Sequence, residues 1–137
     1  MWRLNVRRVY LNSVFDVGKF FVNRRFNIQH GELLLLQLVK KDDPRHLGRI
    51  RGFMEFDEVV EDEHDESVEL YGRKWKYAIL ASRSIRLQPR DWFDLDDIIG
   101  INARKYYTQV EAMRLEHEDA LAVERRLSRY LKYISNK

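Results

Sequence analysis

Flat aromatic rings set among cations are the chemistry this chain offers. Trp75 lies within "YGRKWKY", Phe20, Phe21 and Phe26 surround Arg24 and Arg25, and Tyr106 and Tyr107 follow Arg104 and Lys105. Rings can stack on nucleobases while neighbouring cations hold phosphates, which is how proteins take up single-stranded or extruded bases. Burial statistics assign Tyr77, Phe53 and Phe56 to the core. Trp75, beside Arg73, Lys74 and Lys76 at the mouth of a strand, suits stacking as well as packing.

Other chemistries find little footing. Cysteine is absent, which excludes disulfides, thiol nucleophiles and cysteine-ligated metal sites. His30, His46, His64 and His117 include no pair at a helical ligand spacing, so no metal is expected. No glycine-rich phosphate loop is present, and no serine sits in a nucleophile-elbow context. Carboxylate pairs such as Asp57 with Glu58 or Asp96 with Asp97 are of the kind any solvated surface carries. A catalytic pair also needs burial and a cleft. The sequence reads as a binding protein without a cofactor, not as an enzyme.

The charge is divided. Residues 55 to 66, "EFDEVVEDEHDE", hold eight of the 22 acids and no Lys or Arg, so the remainder carries 25 bases against 14 acids, a net +11. Such a separation suits a protein with one face turned to a polyanion, nucleic acid above all; an Arg- and Glu-rich solvated surface has the same composition. At 137 residues, 45% of them hydrophobic, the chain is the size of one domain with a real core. No run of eighteen apolar residues occurs and "MWRLNVRRVY" does not read as a leader, so a soluble cytoplasmic chain with no membrane partner is expected.

Positioning these residues requires a sheet. Residues 2 to 11 alternate through Trp2, Leu4 and Val6 and then shift phase to Val9 and Leu11, as a bulged strand would. Ser13 with Asp16 forms a weak capping box for a short helix over residues 13 to 22. "ELLLLQLV" is apolar on both faces and predicts a strand buried between layers, pairing across the "KKDDPRHLG" loop with a strand at residues 49 to 60. Gly52 in that second strand marks a bulge or a close backbone approach. Trp75, Tyr77, Ile79, Ala81, Ile85 and Leu87 predict a long half-exposed strand after the acidic loop, stopped by Pro89. "DWFDLDDIIG" predicts a short helix, and residues 117 to 134, with Ala120, Leu121, Val123, Leu127, Tyr130, Leu131 and Ile134 at helical spacing, an amphipathic helix packed on the sheet. The sum is α+β: a small curled β-barrel of about five strands, with antiparallel hairpins, flanked by helices.

In order along the chain, "FFVNRRFNIQHGELLLLQL", "GRIRGFMEFDEVVED", "KWKYAILASRSIRL" with "DWFDLDDIIG", and "YTQVEAMRLEHEDALAVERRL" resemble the segments of an EVE domain or of its relative the YTH domain. The resemblance spans nearly all of residues 1 to 137 and implies a single EVE/YTH-like domain with a PUA-like barrel. It implies binding of a modified, often methylated, base in an aromatic cage, on RNA or within a larger assembly such as a methylation-dependent restriction system of the McrBC type. Residue by residue, it implies base-edge contacts at Asn12 and Ser13, cage walls at Phe20 and Phe21 and at Trp75 with Tyr71, and an amide at Asn102. Phosphate contacts fall to Arg24, Arg25, Lys40, Lys41, Arg104 and Lys105. The family's first wall is a tryptophan, and a phenylalanine there stacks less strongly and donates no hydrogen bond. A second reading, from a different class, is a protein–protein adaptor or oligomerisation module using a strand edge and the acidic loop 55 to 66.

Overall fold

The computed structural model describes residues 1–135, with side chains to residue 132. Six strands form one sheet in the order β2-β5-β4-β3-β1-β6: β1 Trp2–Val6, β2 Lys19–Val22, β3 Leu33–Leu38, β4 Ile50–Glu61, β5 Tyr77–Arg86 and β6 Ala112–Arg114. The helices are α1 Arg8–Val17, α2 Glu66–Tyr71, α3 Asp96–Ile99, α4 His117–Arg126 and α5 Ser128–Ser135, with a 3-10 turn at Gly100–Tyr106 following α3. No helix among the described residues is long and apolar enough to cross a membrane.

Each strand sorts its side chains by parity. Leu4, Leu34, Leu36, Met54 and Ile79 fill the concave side together with Phe15 and Phe20, forming the barrel interior. Leu35, Phe53 and Ile85 turn outward and are covered by Phe93, Leu95, Tyr106, Val123 and Leu127 from the helical layer. The sheet curls without closing: its edge strands β2 and β6 approach where the Asn23 backbone N–H donates to Glu111 Oε1 at 3.1 Å.

The β3–β4 hairpin and the β4–β5 pairing follow the predicted antiparallel arrangement. Gly52 is a close approach, since a Cβ there would lie 2.4 Å from both the Ile85 carbonyl oxygen and Phe15 Cζ. One obstacle is backbone, so Gly52→Ala is expected to destabilise the fold by about 1–3 kcal/mol or more, read as a lowered urea midpoint; an unchanged midpoint would contradict this packing.

Several expectations need correction. The first strand stops at Val6, and the phase shift toward Val9 and Leu11 marks a change of element: these residues begin α1, and Val9 is exposed. The helix ends at Gly18 (φ +73°), so residues 19–22 form β2. Its N-terminus is capped from outside, the Arg8 N–H donating to Asp42 Oδ2 at 2.9 Å, and the Ser13/Asp16 box is unused. Strand β1 runs parallel to β3, because α1 and β2 intervene and carry the chain across.

The acidic loop is mostly strand and helix. Val59 and Val60 pair with Ile79 and Ala78, extending β4 to Glu61, and Asp62 nucleates α2 by accepting from the backbone N–H groups of Glu66 and Ser67. The C-terminal helix breaks at Leu127 into α4 and α5, so that Val123, Leu127, Tyr130 and Leu131 all meet the curved outer core. The Ile134 side chain lies outside the described residues.

Candidate functional site

Three tethered segments converge where the sheet fails to close. The first follows β3. Asp42 holds Arg7 (Nε to Oδ2, 2.8 Å) and the start of α1, which fixes the turn bearing Lys40 and Lys41. Asp43, 1% exposed at its side chain, accepts a two-pronged bond from Arg49 at 2.9 and 3.1 Å and another from Arg51 at 3.1 Å. Burial pushes the Asp43 carboxyl up, but the Arg49 bonds and the charges of both arginines outweigh it and hold it at about 2. The segment continues through Arg45, in a left-handed conformation (φ +72°), to His46, whose Nδ1 lies 3.1 Å from Asp94 Oδ2.

The second segment, residues 107–111, hangs from Arg3. This side chain is fully buried, with no carboxylate paired to it among the described residues, and donates to the Val110 carbonyl at 2.6 Å and Thr108 Oγ1 at 3.1 Å. Burial lowers its pKa to about 10, so it remains charged at neutral pH. The third segment links α2 to β5. Ser67 Oγ donates to Asp62 Oδ2 and accepts from the Trp75 N–H at 3.0 Å, and this chain of bonds sets the Trp75 backbone.

Between them lies a cavity of about 1050 Å³. Tyr10, Phe21, Tyr71 and Trp75 form its aromatic wall, with ring centroids 4.6 Å apart for Tyr10–Tyr71, 5.9 Å for Tyr71–Trp75 and 6.4 Å for Phe21–Trp75. These rings touch one another, so a flat ligand would stack against the wall and not enter between its members. Trp75 is 8% exposed, and the Arg73 guanidinium lies 4.7 Å from its centroid. Arg7, Lys40, Lys41, Arg45 and Arg73 give the lining five cations against the two carboxylates Asp43 and Glu111. Asp43 is already neutralised by Arg49 and Arg51, and Arg7 by Asp42, which leaves Lys40, Lys41, Arg45 and Arg73 against Glu111, so the field in the cavity favours an anion.

The cavity gathers Phe20, Phe21, Tyr71, Trp75, Lys40 and Lys41 from the residues singled out in the sequence. Ser13 stands behind the wall, its Oγ accepting from the Tyr71 hydroxyl at 2.9 Å. Asn12 on α1 and Asn102 on the 3-10 turn are exposed and outside the lining. Arg24 and Arg25 lie over the Phe26 and Tyr77 rings, also outside it. Arg104 is exposed and Lys105 pairs with Glu116 at 2.9 Å. Asn5, Arg7, Tyr10, Gln37, Arg45, Thr108 and Gln109 line the cavity without having been singled out, and Arg73 joins Trp75 there. For Asn5 and Arg7 the signal was available: the clean Trp2, Leu4, Val6 alternation ends there, at the true end of β1.

Fold and cleft together define the class: an α+β curled barrel flanked by helices, with an open seam lined by rings and cations. The crystal structure of a mutant ZmASCH protein from Zymomonas mobilis is similar to it, with a TM-score of 0.55 and 11% sequence identity over 89% of this chain and 94% of that one. No family model and no curated protein matches the chain.

Proposed function

We propose that this protein is a non-enzymatic nucleic-acid-binding module that receives a single base, in its favoured ligand a modified, methylated one, in the seam cavity. The observation that carries the reading is the meeting of the Tyr10, Phe21, Tyr71 and Trp75 wall with five cations in one cleft of about 1050 Å³. Small-ligand sites are typically about 300–1,000 Å³, so this one has room for a nucleotide and its flanking phosphates. Among the described residues Lys40, Lys41, Arg45 and Arg73 have no carboxylate in ion-pair contact, which leaves them available to phosphate oxygens. Arg73 can swing from the Trp75 face to a phosphate, exposing the ring to the base. The preference for a modified base rests on the EVE/YTH resemblance, as does membership of a larger restriction or RNA-processing assembly.

Titration of tryptophan fluorescence with short DNA and RNA oligonucleotides, with and without N6-methyladenine or 5-methylcytosine, tests the reading. Trp75 is the tryptophan in the lining, whereas Trp2 is buried in the barrel core and Trp92 packs under Arg51. Quenching by a modified oligonucleotide that disappears in Trp75→Phe is the expected result. Absence of quenching and of any mobility shift with all oligonucleotides would overturn it.

A further inference from the structure

Resting on the nucleic-acid reading, we infer that Gln37 is a specificity-determining residue of the cavity, whose side-chain amide donates to a hydrogen-bond acceptor on the edge of the bound base. Gln37 lines the cavity although it is 2% exposed, and among the described residues its amide nitrogen has no hydrogen-bond partner. A buried orphan donor costs about 1–3 kcal/mol and is rare in native proteins. Two other buried nitrogens lack partners, Arg3 Nε and Arg51 Nε, but each belongs to a guanidinium that is bonded elsewhere, to Val110 and Thr108 or to Asp43. Gln37 has no such second bond. Among the described residues no hydrogen bond holds its amide, so pairing with a ligand would displace none.

The local backbone supports this placement. The β3–β4 register shifts between Leu36 and Gln37, an irregularity of the kind that re-aims a side chain beside a site. In the parallel pairing with β1, Gln37 stands opposite Asn5, another lining residue, whose amide nitrogen donates to the Thr108 carbonyl at 3.3 Å. Gly48 closes the other side: a Cβ there would lie 3.6 Å from Gln37 Cγ and 2.3 Å from the Leu38 carbonyl oxygen. The ligand that satisfies Gln37 is a heteroaromatic base presenting a ring nitrogen or exocyclic carbonyl toward the sheet.

Fluorescence anisotropy of labelled single-stranded oligonucleotides differing in one central base (A, G, C, T or U, N6-methyladenine, 5-methylcytosine) tests the inference on the intact chain. Wild type is expected to rank these bases. Gln37→Met, which has the length of glutamine and needs no partner, should reduce the spread between best and worst by about 3- to 10-fold, the value of one neutral hydrogen bond. Its melting temperature should be unchanged or raised. Gln37→Glu, an acceptor where wild type has a donor, should reorder the ranking toward bases offering an amino edge. A ranking that survives Gln37→Met intact, or a lowered melting temperature with no change in ranking, would overturn this inference alone. Failure of wild type to bind any oligonucleotide would overturn both it and the reading it rests on.

Discussion

Trp75→Ala is expected to weaken binding of the preferred oligonucleotide by about 10- to 100-fold, since stacking on an aromatic platform is worth about 1–3 kcal/mol per base. Discrimination between modified and unmodified bases should fall with it, because a methyl group on a base is felt through the ring it lies against. The same side chain is structural: it is 8% exposed and meets Tyr10, Phe21 and Tyr71. Truncating a buried aromatic of this kind costs about 3–5 kcal/mol. Anisotropy must therefore be read beside thermal melts, and beside Trp75→Phe, which retains a flat ring and most of the packing. Alanine losing discrimination while phenylalanine keeps part of it identifies stacking. Equal losses for modified and plain bases in a folded alanine variant would remove Trp75 from the recognition surface.

The sheet was legible where its residues obey a period of two. Strands β3, β4 and β5 carry uninterrupted alternation or apolar runs, and Pro89 and Gly52 punctuate them for local reasons visible in the sequence. Strand β1 was overextended because Val9 and Leu11 continue an apolar pattern. Only the cap from Asp42, 34 residues away, tells the chain to turn helical at Arg8. Helix α2 was hidden because its start depends on Asp62, one acid in a block of eight.

The site divides in the same way. Phe21, Tyr71 and Trp75 stood out because rings next to arginine and lysine have a recognisable chemistry. Asn5, Gln37 and Arg45 have none by themselves. Asn5 and Gln37 sit at the ends of β1 and β3, and Arg45 on a loop, where Arg3, Asp42 and Asp43 pull segments remote in sequence toward the seam; Arg3 and Asp43 are buried polar groups that a composition count treats as surface charge. Part of the acidic block is likewise internal. Asp62 bonds Lys74 and Ser67, and Glu66 pairs with Lys19 at 2.8 Å, so fewer of its charges are available to a basic partner than the sequence suggests.

The anchor with the largest expected effect on stability is Asp43. Asp43→Ala leaves Arg49 and the buried Arg51 without their shared carboxylate, and breaking a buried ion pair by removing one partner costs about 3–5 kcal/mol. Asp43→Asn retains the volume and isolates the charge. In wild type the folded-state pKa lies below the ordinary 3.8, at about 2, so the carboxylate contributes stability that is fully present above the ordinary value and is lost as pH falls toward 2. The contribution is roughly 2 kcal/mol. Urea unfolding at a series of pH values from 7 to 3, followed by far-UV circular dichroism, should give converging curves: Asp43→Asn clearly less stable at pH 7, the gap narrowing below about pH 4 as the unfolded wild-type chain takes up the proton that the folded carboxylate still refuses. Parallel curves would mean that the Arg49–Asp43–Arg51 cluster contributes nothing as a charge. The same variant should bind nucleic acid more weakly at pH 7 even where it is fully folded. Asp43 is what ties the Arg45 and His46 segment to β4, and a cation that is no longer held at the rim loses entropy when it meets a phosphate.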